Sequence, residues 1–203
     1  MKKITVFTIF ALVAAAALVT ACSSGANTSA PANTNLAKVN ASPANTAPKS
    51  EDDTPASVKA AFPDAQSFTK QHKDIPKDQM AVIEKEAGAK LPDTDHHSYL
   101  AFSTAGGTRK QIGAATIVKA GGKDFVIVYE NKEGKPNIKE IRGEGVPAPF
   151  LAQFVGKGHD DKFQIGSDLK INGVDDAIGK ELAQAVKTDI LTMQTLYGAP
   201  EKH

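Results

Sequence analysis

The chain has 203 residues, with 24 lysines and arginines against 23 acids, no tryptophan and a single cysteine. Near-neutral charge excludes the basic face that nucleic-acid binding requires, and one cysteine excludes disulfide frameworks and multi-cysteine metal sites. A charged fraction of 23% excludes a multispanning membrane protein, leaving one ordinary domain with appendages. In chain order, residues 1–21 read as an export signal. Met1-Lys2-Lys3 precedes an uncharged run from Ile4 to Ala21, the order of a secretory n-region and h-region. The run is close to the length of a membrane helix, so an uncleaved anchor is the alternative.

The end of the run separates the two. Leu18-Val19-Thr20-Ala21-Cys22-Ser23-Ser24-Gly25 places a branched apolar residue and two small ones before the only cysteine. This resembles the lipobox of bacterial lipoproteins. The resemblance implies a diacylglycerol thioether on Cys22, cleavage before it and acylation of the new amino terminus. A thiolate is the nucleophile that such chemistry needs. Each acyl chain contributes about 0.8 kcal/mol per buried methylene, and several chains make stable an anchoring that one leaves marginal. Ser23, in place of aspartate, resembles the sorting pattern that sends Gram-negative lipoproteins to the outer membrane. In such a host the protein faces the periplasm, anchored to the membrane through lipid.

Residues 22–57 read as a tether. Between Ser23 and Ser50 only Leu36 and Val39 are large and apolar, the rest being mostly Ala, Ser, Thr, Asn and Pro. Such a segment cannot offset the entropy of ordering and is expected to be disordered. A flexible chain of that length has an r.m.s. reach of roughly 30 Å. Without the two signal lysines the mature chain is about neutral and has no polybasic patch for lipid headgroups.

Residues 58–203 form the expected folded body, long enough to bury a core. Asp74-Ile75-Pro76 opens a helix, Met80, Ile83 and Ala87 recur at helical spacing, and Gly88 closes it. His97 to Ser103, Gln111 to Ala120, Lys123 to Glu130 and Asn137 to Arg142 read as strands joined by short glycine-containing turns, an antiparallel meander. Phe150 to Val155 is a short helix ended by Gly156, and Phe163 to Ile171 is read as extended. From Asp176 to Tyr197, Ile178, Leu182, Ala185, Val186, Ile190, Met193 and Leu196 lie on one helical stripe that Gly198-Ala199-Pro200 stops. The expected class is α+β: a curved antiparallel sheet of four or more strands with helices packed on one side.

Three stretches carry a resemblance. Phe150-Leu151-Ala152-Gln153-Phe154-Val155-Gly156-Lys157, Ile165-Gly166-Ser167-Asp168-Leu169 and Val174-Asp175 resemble the FMN-binding domain family. That family includes flavinylated subunits of ion-pumping redox complexes and stand-alone exported proteins. Phe62-Pro63-Asp64-Ala65 and the helix from Met80 to Gly88 resemble the start of the stand-alone members. The resemblance spans about residues 60–198. It implies a role in flavin-dependent electron transfer beside a membrane redox protein. The family esterifies FMN to a threonine at the start of the last helix, where free N–H groups and the helix dipole favour phosphate. Here that segment is Val174-Asp175-Asp176-Ala177-Ile178-Gly179-Lys180-Glu181, without the threonine, and Thr188 is about two turns further on. Asp175 or Asp176 is expected to be the helix N-cap. Two readings stay open: FMN held noncovalently by Gly179, Lys180 and nearby amides, or a cofactor-free adaptor or ligand-binding module that kept the fold.

The remaining constellations read as structure, so no metal and no catalytic residue is expected. Asp93-Thr94-Asp95-His96-His97 has metal-binding side chains, but adjacent histidines on a strand point to opposite faces, and a solvated loop entering a strand is the expectation. His159-Asp160-Asp161 reads as a polar loop, and Gly156-Lys157-Gly158 is too short for a phosphate loop. Ser98, Ser103 and Ser167 lack a nucleophile-elbow context. Tyr99, Phe102, Phe125 and Tyr129 are expected in the core, as are Phe150 and Phe154 at i, i+4. A binding or electron-transfer module therefore precedes an autonomous enzyme.

Overall fold

The structure, a computed structural model, describes residues 53–199; Cys22 and nearly all of the tether lie outside them. Five strands form one open antiparallel sheet in sequence order: β1 (Ser67–Asp74), β2 (Asp95–Ser103), β3 (Lys110–Ala120), β4 (Lys123–Lys132) and β5 (Lys135–Gly143). Its helices are α1 (Ala56–Ala61), α2 (Lys77–Ala87), α3 (Ala148–Leu151) with a 3-10 turn at Ala152–Phe154, and α4 (Asp176–Tyr197). The molecule is thus α+β. Gly121 and Gly122, both at positive φ, make the tight β3–β4 turn whose twist matches the flanking strands. Gly88, in the left-handed region, closes α2 as expected.

The central strand explains the layering. Phe125-Val126-Ile127-Val128-Tyr129 is buried on both faces, a pattern that demands cover above and below. Phe125, Ile127 and Tyr129 join Phe150, Phe154, Leu182, Val186 and Ile190 in a cluster under α3 and α4. Val126 and Val128 join Val58, Ala61, Phe62, Tyr99, Ala101 and Ala115 in a second cluster under α1. The expectation of helices on one side is therefore corrected. The long α4 covers one face, and α1 covers part of the other, where Ala101 and Ala115 leave room for it. Helix α1 starts at Ala56, and Thr54 before it is buried.

Two further differences matter. Ser67–Asp74, read as no element from sequence, is the edge strand β1, paired with β2 along its whole length. Phe163 to Ile171 is a loop instead of an extended segment: Phe163 takes φ 54° and stacks its ring on Phe154, and Ile165 meets Leu169 in a lone bridge. α2 packs on α4 through Ile75, Ile83, Ala87 and Leu191. Among the described residues no helix is long and apolar enough to cross a membrane.

Candidate functional site

The start of α4 is closed by its own residues. Asp175 is the N-cap, and its Oδ1 accepts from the amides of Ala177 (2.9 Å) and Ile178 (3.1 Å). The Gly179 amide already donates to the Asp175 carbonyl at 2.8 Å. Gly179 is buried, and a Cβ there would lie 3.4 Å from Ile171 and Val174, so its small size serves the approach of that loop to the helix. Lys180 Nζ lies 3.4 Å from Asp176 Oδ2 on the exposed side. Glu181 accepts from the Gly121 amide at 2.9 Å, tying the helix to the β3–β4 turn. The donors a flavin phosphate would use are engaged by Asp175, and Asp176 adds a second negative charge. With no hydroxyl to esterify, these residues do not fit the phosphate of FMN.

The polar centre of the molecule lies three turns further along α4. Asp189, buried, receives a hydrogen bond from each of three neighbouring strands. His96 Nε2 of β2 is 2.9 Å from Oδ1, and the hydroxyls of Thr116 on β3 and Tyr129 on β4 donate to Oδ2 at 2.5 Å each. A carboxylate only accepts, so Nε2 of His96 carries the hydrogen in this contact. The Nδ1 of the same ring is buried and has no hydrogen-bond partner among the described residues. Removing a carboxylate from water is costly unless donors replace the water, and three donors do so here. Burial pushes the Tyr129 phenol well above its ordinary range, and the Asp189 carboxylate adds to the shift. Near the end of α4, Tyr197 shares a hydrogen bond with Ser98 (2.9 Å), while Lys73 stands 3.9 Å over its ring and donates to the Leu196 carbonyl.

A cleft opens beside this centre for a reason visible in the register. β1 and β2 stay paired back to Asp74 and Asp95, and β3 and β4 stay paired to Ala120 and Lys123. Between β2 and β3, however, pairing starts only at Tyr99 and Ala115. The first residues of β2 and the last of β3 therefore diverge, leaving a wedge of about 480 Å³ over α4. Ile75, Leu91, Val118 and Ala185 supply apolar wall, and His96, Thr188, Asp189 and Thr192 supply polar groups. That volume and that mix are those of a small-molecule site.

The DTDHH segment is resolved into two environments. His96 and His97 do face opposite sides of the sheet, but both belong to strand β2, so the expected entering loop is corrected. His96 turns to α4; His97 sits beside His72, its partner directly across on β1, with ring centroids 4.7 Å apart. Asp95 Oδ2 lies 3.0 Å from His72 Nε2 and 3.8 Å from His97 Nε2. These three side chains place one ligand atom each within 4.8 Å of one another. Sequence reading missed His72 and Asp189 alike. Ser67–Asp74 has a single large apolar residue and no apolar alternation, and nothing local marks Asp189 as buried. His159-Asp160-Asp161 is a turn closed by the Gly158 amide on Asp161, as expected of a polar loop. Compared with known protein families, curated proteins and solved structures, the chain matches none.

Proposed function

We propose that the protein is an exported lipoprotein, held to a membrane through Cys22, whose folded body is a ligand-binding module without covalent flavin. The observation that carries the binding reading is the cleft between β2, β3 and α4 with His96 on its wall. Asp189 orients that imidazole, and the Thr116 and Tyr129 hydroxyls orient Asp189, so the polar wall is preorganised before a ligand arrives. The complementary ligand has an apolar body and a polar group able to hydrogen-bond the polar wall. The capped start of α4 speaks against the alternative, a flavin held by Gly179 and Lys180 for electron transfer with a membrane redox protein. The resemblance of the Phe150–Lys157 and Ile165–Leu169 stretches to the FMN-binding domain family is what supports that second reading.

One titration separates them. The full chain, purified in detergent, is mixed with FMN, with riboflavin and with a panel of small heteroaromatic compounds, then gel-filtered and tested for thermal stabilisation. The expected result is a colourless protein stabilised by a member of the panel, with the effect lost in His96→Gln. Flavin absorption that co-elutes with the protein and disappears in Lys180→Ala would return the reading to electron transfer.

A further inference from the structure

We propose that His72, Asp95 and His97, with Asp74 beside them, bind a divalent transition-metal ion of the zinc or copper class on the face of the β1–β2 pair opposite α4. The register alone assembles the set. His72 stands across from His97 and Asp74 across from Asp95, so two imidazoles and two carboxylates share one face of a two-strand ladder. Asp95 Oδ2 is 3.0 Å from His72 Nε2 and 3.8 Å from His97 Nε2, and Asp74 Oδ1 is 3.7 Å from His72 Nε2. Four ligands about 2.1 Å from a tetrahedral ion stand about 3.4 Å from one another. The observed separations bracket that edge, so small side-chain rotations complete the site.

A simple ion pair leaves part of this arrangement unexplained. Two imidazole nitrogens are turned toward one Asp95 oxygen, His72 Nε2 at 3.0 Å and His97 Nε2 at 3.8 Å. Two carboxylates also stand directly opposite each other, a placement that like charge disfavours, with the His72 imidazole near both. A divalent cation answers all of these at once. Imidazole with carboxylate selects zinc, copper or nickel over magnesium and calcium, which prefer all-oxygen sets. Side-chain exposures of 57% for His72 and 43% for His97 leave the site open to ions and a coordinating water, while Asp95 at 18% is the fixed element. Asp95 and His97 also border the mouth of the cleft, whereas His72 does not line it.

The test is calorimetric titration of the chelator-treated full chain in detergent, without a histidine tag, using zinc chloride and then copper(II) chloride. One ion is expected per chain, with copper bound more tightly than zinc. His72→Gln and His97→Gln are each expected to weaken binding by at least roughly tenfold, while His159→Gln leaves it unchanged. Copper(II) electron paramagnetic resonance should show coupling to two imidazole nitrogens in the wild type and to one in either variant. Since both side chains are exposed, circular dichroism should confirm that the variants fold. The proposal is overturned by the absence of binding, by binding that neither variant weakens, or by equal loss in His159→Gln. His72→Gln separates the two readings, because His72 does not line the cleft and the cleft reading is tested at His96.

Discussion

Asp189 shows what a single side chain decides in this molecule. It accepts from His96, Thr116 and Tyr129, so one carboxylate links three strands to the long helix. Removing it would leave three buried donors without an acceptor, each worth about 1–3 kcal/mol. The tyrosines report on the same interior. The chain has three, and all are pushed above the ordinary phenol value of about 10. Burial is the main cause for each; Asp53 adds to it for Tyr99, and Asp189 adds to it for Tyr129 and Tyr197. A raised folded value means that the folded state holds the proton longer than the unfolded one. Stability is therefore whole below pH of about 10 and is lost as pH climbs above it toward the folded values. Phenolate absorbance of the native protein is expected to rise at clearly higher pH than in urea, with the last step coinciding with unfolding. With no tryptophan in the chain the signal is unobscured, and a native curve that overlays the denatured one would contradict the burial of these rings.

At the scale of the element, the sheet edge and its glycines set tolerances. Gly143 ends β5 opposite Phe125, and a Cβ there would lie 2.2 Å from the ring of that fully buried residue. The ring cannot retreat, because Phe150, Leu182 and their neighbours fill the cluster around it. Gly143→Ala should cost about 1–3 kcal/mol by overpacking, read as a lower urea midpoint with an unchanged slope. Gly88→Ala is no substitute control, since its cost would come from a positive φ instead of a clash. How much of each element was legible also varied. α4 matches its expected span because seven apolar residues at helical spacing lie between an aspartate cap and a stop. β1 was invisible because Ser67–Asp74 has one large apolar residue, Phe68, and takes its strand form from pairing with β2. The loop from Phe163 resembled a strand by composition, but its residues pack inward without a partner strand to pair with.

At the scale of the whole molecule, the proposed anchor defines where the body works. On this reading acyl chains on Cys22 hold the chain at a membrane, and the segment before α1 sets its reach. Cys22→Ala is expected to move the protein from the membrane to the soluble fraction, and mass spectrometry should show acyl chains only on the wild type. Membrane retention of Cys22→Ala without acylation would point instead to an uncleaved N-terminal anchor.

Local pattern determined the parts that depend on neighbours in sequence: the four strands from β2 to β5 and the closing helix with its Asp175 cap. Periodicity, turn chemistry and motif spacing are properties of consecutive residues, so they can be read without a fold. The sites were decided only in three dimensions. His72 and His97 are 25 positions apart and meet through strand register. His96 and Asp189 are 93 apart and meet because α4 lies across the sheet. Neither pair leaves a local trace, since the free energy that brings its members together comes from burying the apolar residues around them.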